Sequence, residues 1–212
     1  MVQIMRKLIV AILCAMGLGV ATEASAQIDL GKALGTLLNE AAAVQTTPDH
    51  YAKLRESAPA KGKIVGTWQY LSARVEYLGA NPVVQMAMPQ LETIIASELK
   101  REGVVEGCCS LTLNRKGTAT ISAGSLKYDG SYTYDQSTAK AKASYVIDNH
   151  TYNLSGYLKL SSSRLMVLID IRDVLRELTY LSPKLANDEN FLMVKGVVDS
   201  FGDIYLSVLF QK

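Results

Sequence analysis

Over 212 residues the chain sets 22 Lys and Arg against 20 Asp and Glu with no basic stripe, a balance that excludes a nucleic-acid role read from charge. Its two histidines and three cysteines fall in no zinc spacing, and it has no glycine-rich phosphate loop and no G-x-S-x-G turn. The usual metal, nucleotide and serine-hydrolase signatures are therefore missing, no cofactor is expected, and the reading is of a protein that is not an enzyme.

Arg6-Lys7, the apolar run Leu8 to Val20 and the small-x-small set Ala24-Ser25-Ala26 read as a signal peptide over 1–26, cleaved before Gln27. A lipid-modified Cys14 is the alternative, weakened by the bulky Leu13 before it. No later apolar stretch reaches spanning length, so the mature chain is expected to be exported, periplasmic or secreted, without a membrane span. Residues 27–212 suffice for one domain with a core. They divide into a helical leader and linker over 27–60 and a domain over 61–212.

In the leader, Leu34, Leu37, Leu38 and Ala41 make one helical face, and Thr47-Pro48 starts a second short helix through Leu54. Pro59-Ala60-Lys61-Gly62 reads as linker. The apolar face favours docking on the domain. Ile64-Val65-Gly66-Thr67-Trp68-Gln69-Tyr70 then alternates at strand period and holds the sole Trp. Beyond it the apolar phase shifts to Leu71, Ala73, Val75 and Tyr77, which a bulge near Tyr70-Leu71 would cause.

Asn81-Pro82 opens a helical insertion. Pro89 fits the first turn of a helix with the stripe Leu91, Ile94, Ile95 and Leu99, ended by Lys100 to Gly103. Met86 and Met88 read as gap-filling core rather than ligand contacts. From Cys109 the period drops to two, with Cys109, Leu111 and Leu113 on one face. Adjacent Cys108 and Cys109 would then point to opposite faces as two free thiols; a strained disulfide or a metal site is the sharper alternative.

Asn114-Arg115-Lys116-Gly117 is a hairpin turn. Gly124-Ser125 and Asp129-Gly130 mark further turns, and Tyr132 and Tyr134 share a face. Ala143, Tyr145 and Ile147 oppose Tyr152, Leu154, Gly156 and Leu158 across Asp148-Asn149-His150. Leu165 to Ile169 is apolar on both faces, as a covered strand would be. Asp170 or Asp173 begins a helix with the stripe Ile171, Val174, Leu175 and Leu178. Asp170, Asp173 and Glu177, interleaved with Arg172 and Arg176, read as a solvated, ion-paired face. Ser182-Pro183 stops that helix, Asn187 caps another through Val198, and Ile204, Leu206, Val208 and Phe210 alternate in a last strand. A sheet running from Trp68 to Phe210 can pair its first and last strands and close into a barrel.

The ordered set Gly66-x-Trp68, a helical insertion, Leu111-Thr112-Leu113-Asn114-x-x-Gly117 and Gly130-x-Tyr132-x-Tyr134 resembles a lipocalin-like domain family of unknown function, found in exported proteins chiefly of the Bacteroidota. The resemblance spans roughly residues 61–212. It implies a mainly β protein with helical insertions, an antiparallel meander barrel with first and last strands adjacent. In such a barrel Trp68, Tyr132, Tyr134, Tyr145 and Tyr152 are the candidate ligand-binding residues. The alternative is that these rings fill the interior. The partner is accordingly either a small hydrophobic molecule in the barrel or an envelope protein met by a filled barrel, and the chain is expected to be a monomer. Mass spectrometry of protein from its native envelope is expected to show a mature chain beginning at Gln27; a lipid on Cys14 would contradict the export reading.

Overall fold

The computed structural model describes residues 50–82, 84–85, 88–89, 92, 100, 103–147, 149–181, 183–187 and 189–212. The segment read as a signal peptide, the leader up to residue 49, Met86 and the stripe from Leu91 to Leu99 lie outside these residues. Among the described residues eight antiparallel strands follow one another round a closed barrel. They are β1 (Gly66–Tyr77), β2 (Ser110–Leu113), β3 (Thr118–Ala123), β4 (Leu126–Asp135), β5 (Lys140–Ile147), β6 (His150–Ser161), β7 (Arg164–Asp170) and β8 (Ile204–Gln211). Helices α1 (His50–Glu56) and α2 (Lys61–Ile64) precede β1. Between β7 and β8 run α3 (Ile171–Leu181), a tight 3-10 turn (Pro183–Asn187) and α4 (Glu189–Phe201). β1 pairs with both β2 and β8, so the first and last strands are neighbours as the alternation implied.

The phase change in β1 is a bulge. The register with β8 slips between Tyr70 and Ser72, and the extra residue turns Ala73, Val75 and Tyr77 back toward the core that Trp68 and Tyr70 occupy. The turn Asn114 to Gly117 forms as read: Asn114 Oδ1 accepts from the backbone of Lys116 and Thr118 at 2.9 Å each. Gly117 takes φ +87°, which a side chain would resist.

Four expectations change. Asp129-Gly130 is not a turn, because β4 runs straight through it. Gly130 is there for space: a Cβ on it would lie 2.5 Å from the ring of Tyr145, its partner across β5. Lys61 and Gly62 are not linker but part of the single turn α2. Cys108 and Cys109 precede β2 rather than sit on it, and both pack against the one core instead of opposite faces. Ile64 ends α2 rather than opening the strand, yet it is fully buried.

That helix end explains Trp68. The indole is 1% exposed, and its N–H donates to the carbonyl of Ile64 at 2.8 Å. A buried indole needs that partner, and the turn of α2 supplies it from four residues upstream. Lys212 Nζ lies 4.7 Å from the ring centroid, a cation over its face.

A second, smaller core lies outside the barrel. The outward side chains Tyr157, Met166, Leu168 and Tyr205 are covered by Tyr51, Leu54 and Ala58 from α1 and the segment after it. Tyr51 donates to Asp203 and shares a 3.0 Å hydrogen bond with Tyr205. The described end of the leader is thus docked on β6, β7 and β8, and this explains why Leu165 to Ile169 is apolar on both faces. Elsewhere the outer face is mostly polar, with Thr67, Gln69, Arg74, Lys127, Asp129 and Lys142 exposed and Val146 on β5 the apolar exception. Apolar inside and polar outside is the reverse of a barrel built to face lipid. Among the described residues no helix is long and apolar enough to cross a membrane.

Trp68→Ala is expected to cost about 3–5 kcal/mol, since it removes a large buried aromatic and orphans the Ile64 carbonyl. Denaturant unfolding followed by circular dichroism measures it. In the unsubstituted protein Trp68 emission is expected to be blue-shifted and insensitive to iodide.

Candidate functional site

The inward positions of the strands differ in size around the barrel. Ala119 on β3, Ala141 and Ala143 on β5 and Gly156 on β6 are small, while Leu111, Tyr70 and Phe210 face them from β2, β1 and β8. The mismatch leaves a cavity of about 160 Å³ inside the barrel. Tyr132, Tyr145, Leu158 and Val208 complete much of its wall, and Val104, Cys108 and Cys109 close one side from the segment leading into β2. Its surface is almost wholly apolar. Lys142 contributes to the wall, but strand alternation turns its side chain outward, where it is exposed.

Of the five aromatic residues singled out from the sequence, Tyr132 and Tyr145 line this cavity. Trp68 belongs to the same core but is engaged by α2 and Lys212. Tyr134 donates to the carbonyl of Pro59 at 2.9 Å, which ties the segment before α2 to the barrel. Tyr152 packs edge-on against His150 with ring centroids 4.6 Å apart. Tyr70 and Phe210 also line the cavity, as the even-position alternation of β1 and β8 implies, and so do Cys108 and Cys109, which the sequence marks only as thiols or a metal site.

The polar atoms of the wall are few. The Tyr132 hydroxyl is used up by the Asn114 carbonyl at 2.8 Å. Among the described residues the hydroxyls of Tyr70 and Tyr145 have no hydrogen-bond partner, and each residue is 3% exposed. Burial pushes both well above the usual tyrosine value, with the neighbouring thiols adding to the effect on Tyr70. Cys108 and Cys109 are free, and burial followed by the charge and hydrogen bond of Cys108 pushes the Cys109 thiol up to about 12. A thiol so placed is a poor nucleophile.

A second cluster lies where α3 meets β6. Glu177 is 4% exposed and so not on a solvated face, which corrects the sequence expectation. The face is ion-paired as expected, but toward the barrel. Glu177 Oε2 lies 2.8 Å from His150 Nε2, and its Oε1 accepts from Arg176 at 3.0 Å. Asp173 accepts from the Ser155 backbone at 2.6 Å, and Arg176 donates to the Asn153 carbonyl at 2.7 Å. His150 stacks on Tyr180 at 3.4 Å between centroids. These bonds hold a helix onto a strand; the periodicity of α3 alone could not show which strand it would meet. Asp170 meanwhile caps α3, accepting from the Arg172 backbone at 2.9 Å. Among the described residues no group of three or more His, Cys, Asp or Glu could hold a metal ion.

Residues 34–212 match the family described as "Lipocalin-like domain (DUF4923)". The chain belongs to this family. The matched segment begins ahead of α1, so it takes in the docked end of the leader as well as the barrel. Among solved structures, a DUF4847 family protein from Bacteroides vulgatus ATCC 8482 is similar at 13% identity, over 70% of this chain and 96% of that one, with a TM-score of 0.35. No curated protein matches.

The alkaline behaviour of this lipocalin-like barrel follows from its buried acids. A group whose folded pKa lies above its unfolded value keeps its proton longer in the native state. The stability tied to Cys109 is therefore complete below its ordinary 9.0 and is lost as the pH rises toward about 12. Tyr70 and Tyr145 act in the same direction. Melting temperature is expected to fall as the pH rises through this window, and Cys109→Ala is expected to flatten the early part of the fall; a flat profile would contradict the burial of these groups.

Proposed function

We propose that this chain is an exported, non-enzymatic binding protein that takes one small apolar molecule into its barrel. The observation that carries the reading is the cavity itself, about 160 Å³ of apolar space inside a closed barrel. An apolar cavity of about 150 Å³ is known to stay dry and to accept a benzene-sized guest. Removing such a guest from water is favourable, and the wall offers it an almost wholly apolar surface. The signal-like segment 1–26 supports export to the periplasm or beyond, and the outward polarity of the strands supports a monomer in water. The carboxylates of α3 support a role without chemistry, because Asp173 and the buried Glu177 are spent on holding α3 to β6.

Benzene is the simplest probe. Its saturation of the buffer is expected to raise the melting temperature by mass action. Ala143→Phe, which puts a ring into the space, is expected to abolish that response while leaving Trp68 emission unchanged. A folded protein with no response to benzene or to any other small apolar probe would leave the barrel as an interaction module for an envelope protein.

A further inference from the structure

We propose that the barrel selects a neutral ligand about the size of one substituted ring that carries a single hydrogen-bond acceptor, with the hydroxyls of Tyr145 and Tyr70 as its donors. The inference rests on the binding reading above and adds the chemistry of the guest.

Size comes from the cavity volume. Neutrality comes from the wall. Among the described residues no cationic side chain faces the space, since Lys142 turns outward. A carboxylate or phosphate placed there would lose its hydration and gain no counter-charge, a cost far above what one apolar ring returns. Burial raises the Cys109 thiol and both tyrosine hydroxyls above their ordinary values, the direction in which this environment disfavours an anion. A guest anion would face the same penalty.

The acceptor comes from the two hydroxyls. Neither hydroxyl is sealed off as a buried, unsatisfied group, and an unpartnered phenol that still presents surface donates to whatever acceptor reaches it. Tyr132 donates to Asn114, whereas Tyr70 and Tyr145 find no partner among the described residues. The ring of Tyr145 is fixed from behind, because it lies over Gly130, where any side chain would displace it. Its hydroxyl is therefore presented by a rigid strand pair rather than a mobile loop. A phenol donates more strongly than it accepts, so a carbonyl or ether oxygen on the guest answers it better than an amine or hydroxyl.

The test uses three probes of similar shape: ethylbenzene, acetophenone and benzoate at neutral pH, with binding read by calorimetry on the full mature chain. Acetophenone is expected to bind roughly 3- to 10-fold more tightly than ethylbenzene, the weight of one neutral hydrogen bond. Benzoate is expected not to bind. Tyr145→Phe and Tyr70→Phe are each expected to lower acetophenone toward the ethylbenzene level, and the double variant to bring it there, while leaving ethylbenzene in place, which also certifies the fold. Equal binding of acetophenone and ethylbenzene by the unsubstituted protein, or tight binding of benzoate, overturns this inference and leaves the binding reading standing. No binding of any of the three overturns both.

Discussion

β1 has to serve two neighbours at once. Its first residues, Gly66 to Gln69, pair with β2, while Gln69 to Tyr77 pair with β8. Because side chains alternate with period two, one register cannot put Trp68 and Tyr70 inside together with Ala73, Val75 and Tyr77. The bulge at Leu71 resolves this with one added residue. Without it Arg74 and Glu76 would point into the core, and closure would bury charge. With it, Glu76 stays outside, where it accepts from Ser207 at 3.1 Å and pairs with Arg74. The apolar interior, the seam with β8 and the cavity all presuppose that residue.

Once closed, the barrel is finished by what sits at its ends and on its flank. α2 brings a carbonyl to Trp68, α3 is fastened to β6 by Asp173 and the buried Glu177, and α1 covers the apolar outer face of β6, β7 and β8. None of these elements fills the middle. The space persists because the inward side chains of β3, β5 and β6 are small there, and neighbouring strands in a closed barrel cannot draw together to collapse it.

Much of this was readable in the chain. The phase change at Tyr70-Leu71 named the bulge, Asn114 to Gly117 named a turn, and the strand-period runs from Trp68 to Phe210 named a barrel. The failures have physical causes. Gly130 was taken for a turn because glycine serves both tight turns and close approaches, and only the ring of Tyr145 across the sheet tells them apart. Cys108 and Cys109 were put on β2 because alternation does not reveal that a strand begins one residue later. Glu177 was read as solvated because a helix pattern shows which side is apolar, not what the polar side will meet. The same limit governs the site. Period two says that Trp68, Tyr132, Tyr134, Tyr145 and Tyr152 face inward, but not how high each stands in the barrel or which neighbour claims it. Trp68 is claimed by Ile64, Tyr134 by Pro59 and Tyr152 by His150, while Tyr132 and Tyr145 remain at the cavity wall.

The seam between β1 and β8 also sets an order of events. Its two sides are far apart in the chain, with the whole meander and both α3 and α4 between them. While the chain is being made, β1 and β7 each present an unpaired edge, and no local contact can cover them until β8 arrives. β8 is the strand with the most thoroughly buried pattern, apolar on nearly every position. The segment that completes the fold is thus also the one most prone to stick elsewhere before it docks, so an unfinished chain would depend on a holding chaperone more than the finished barrel ever does.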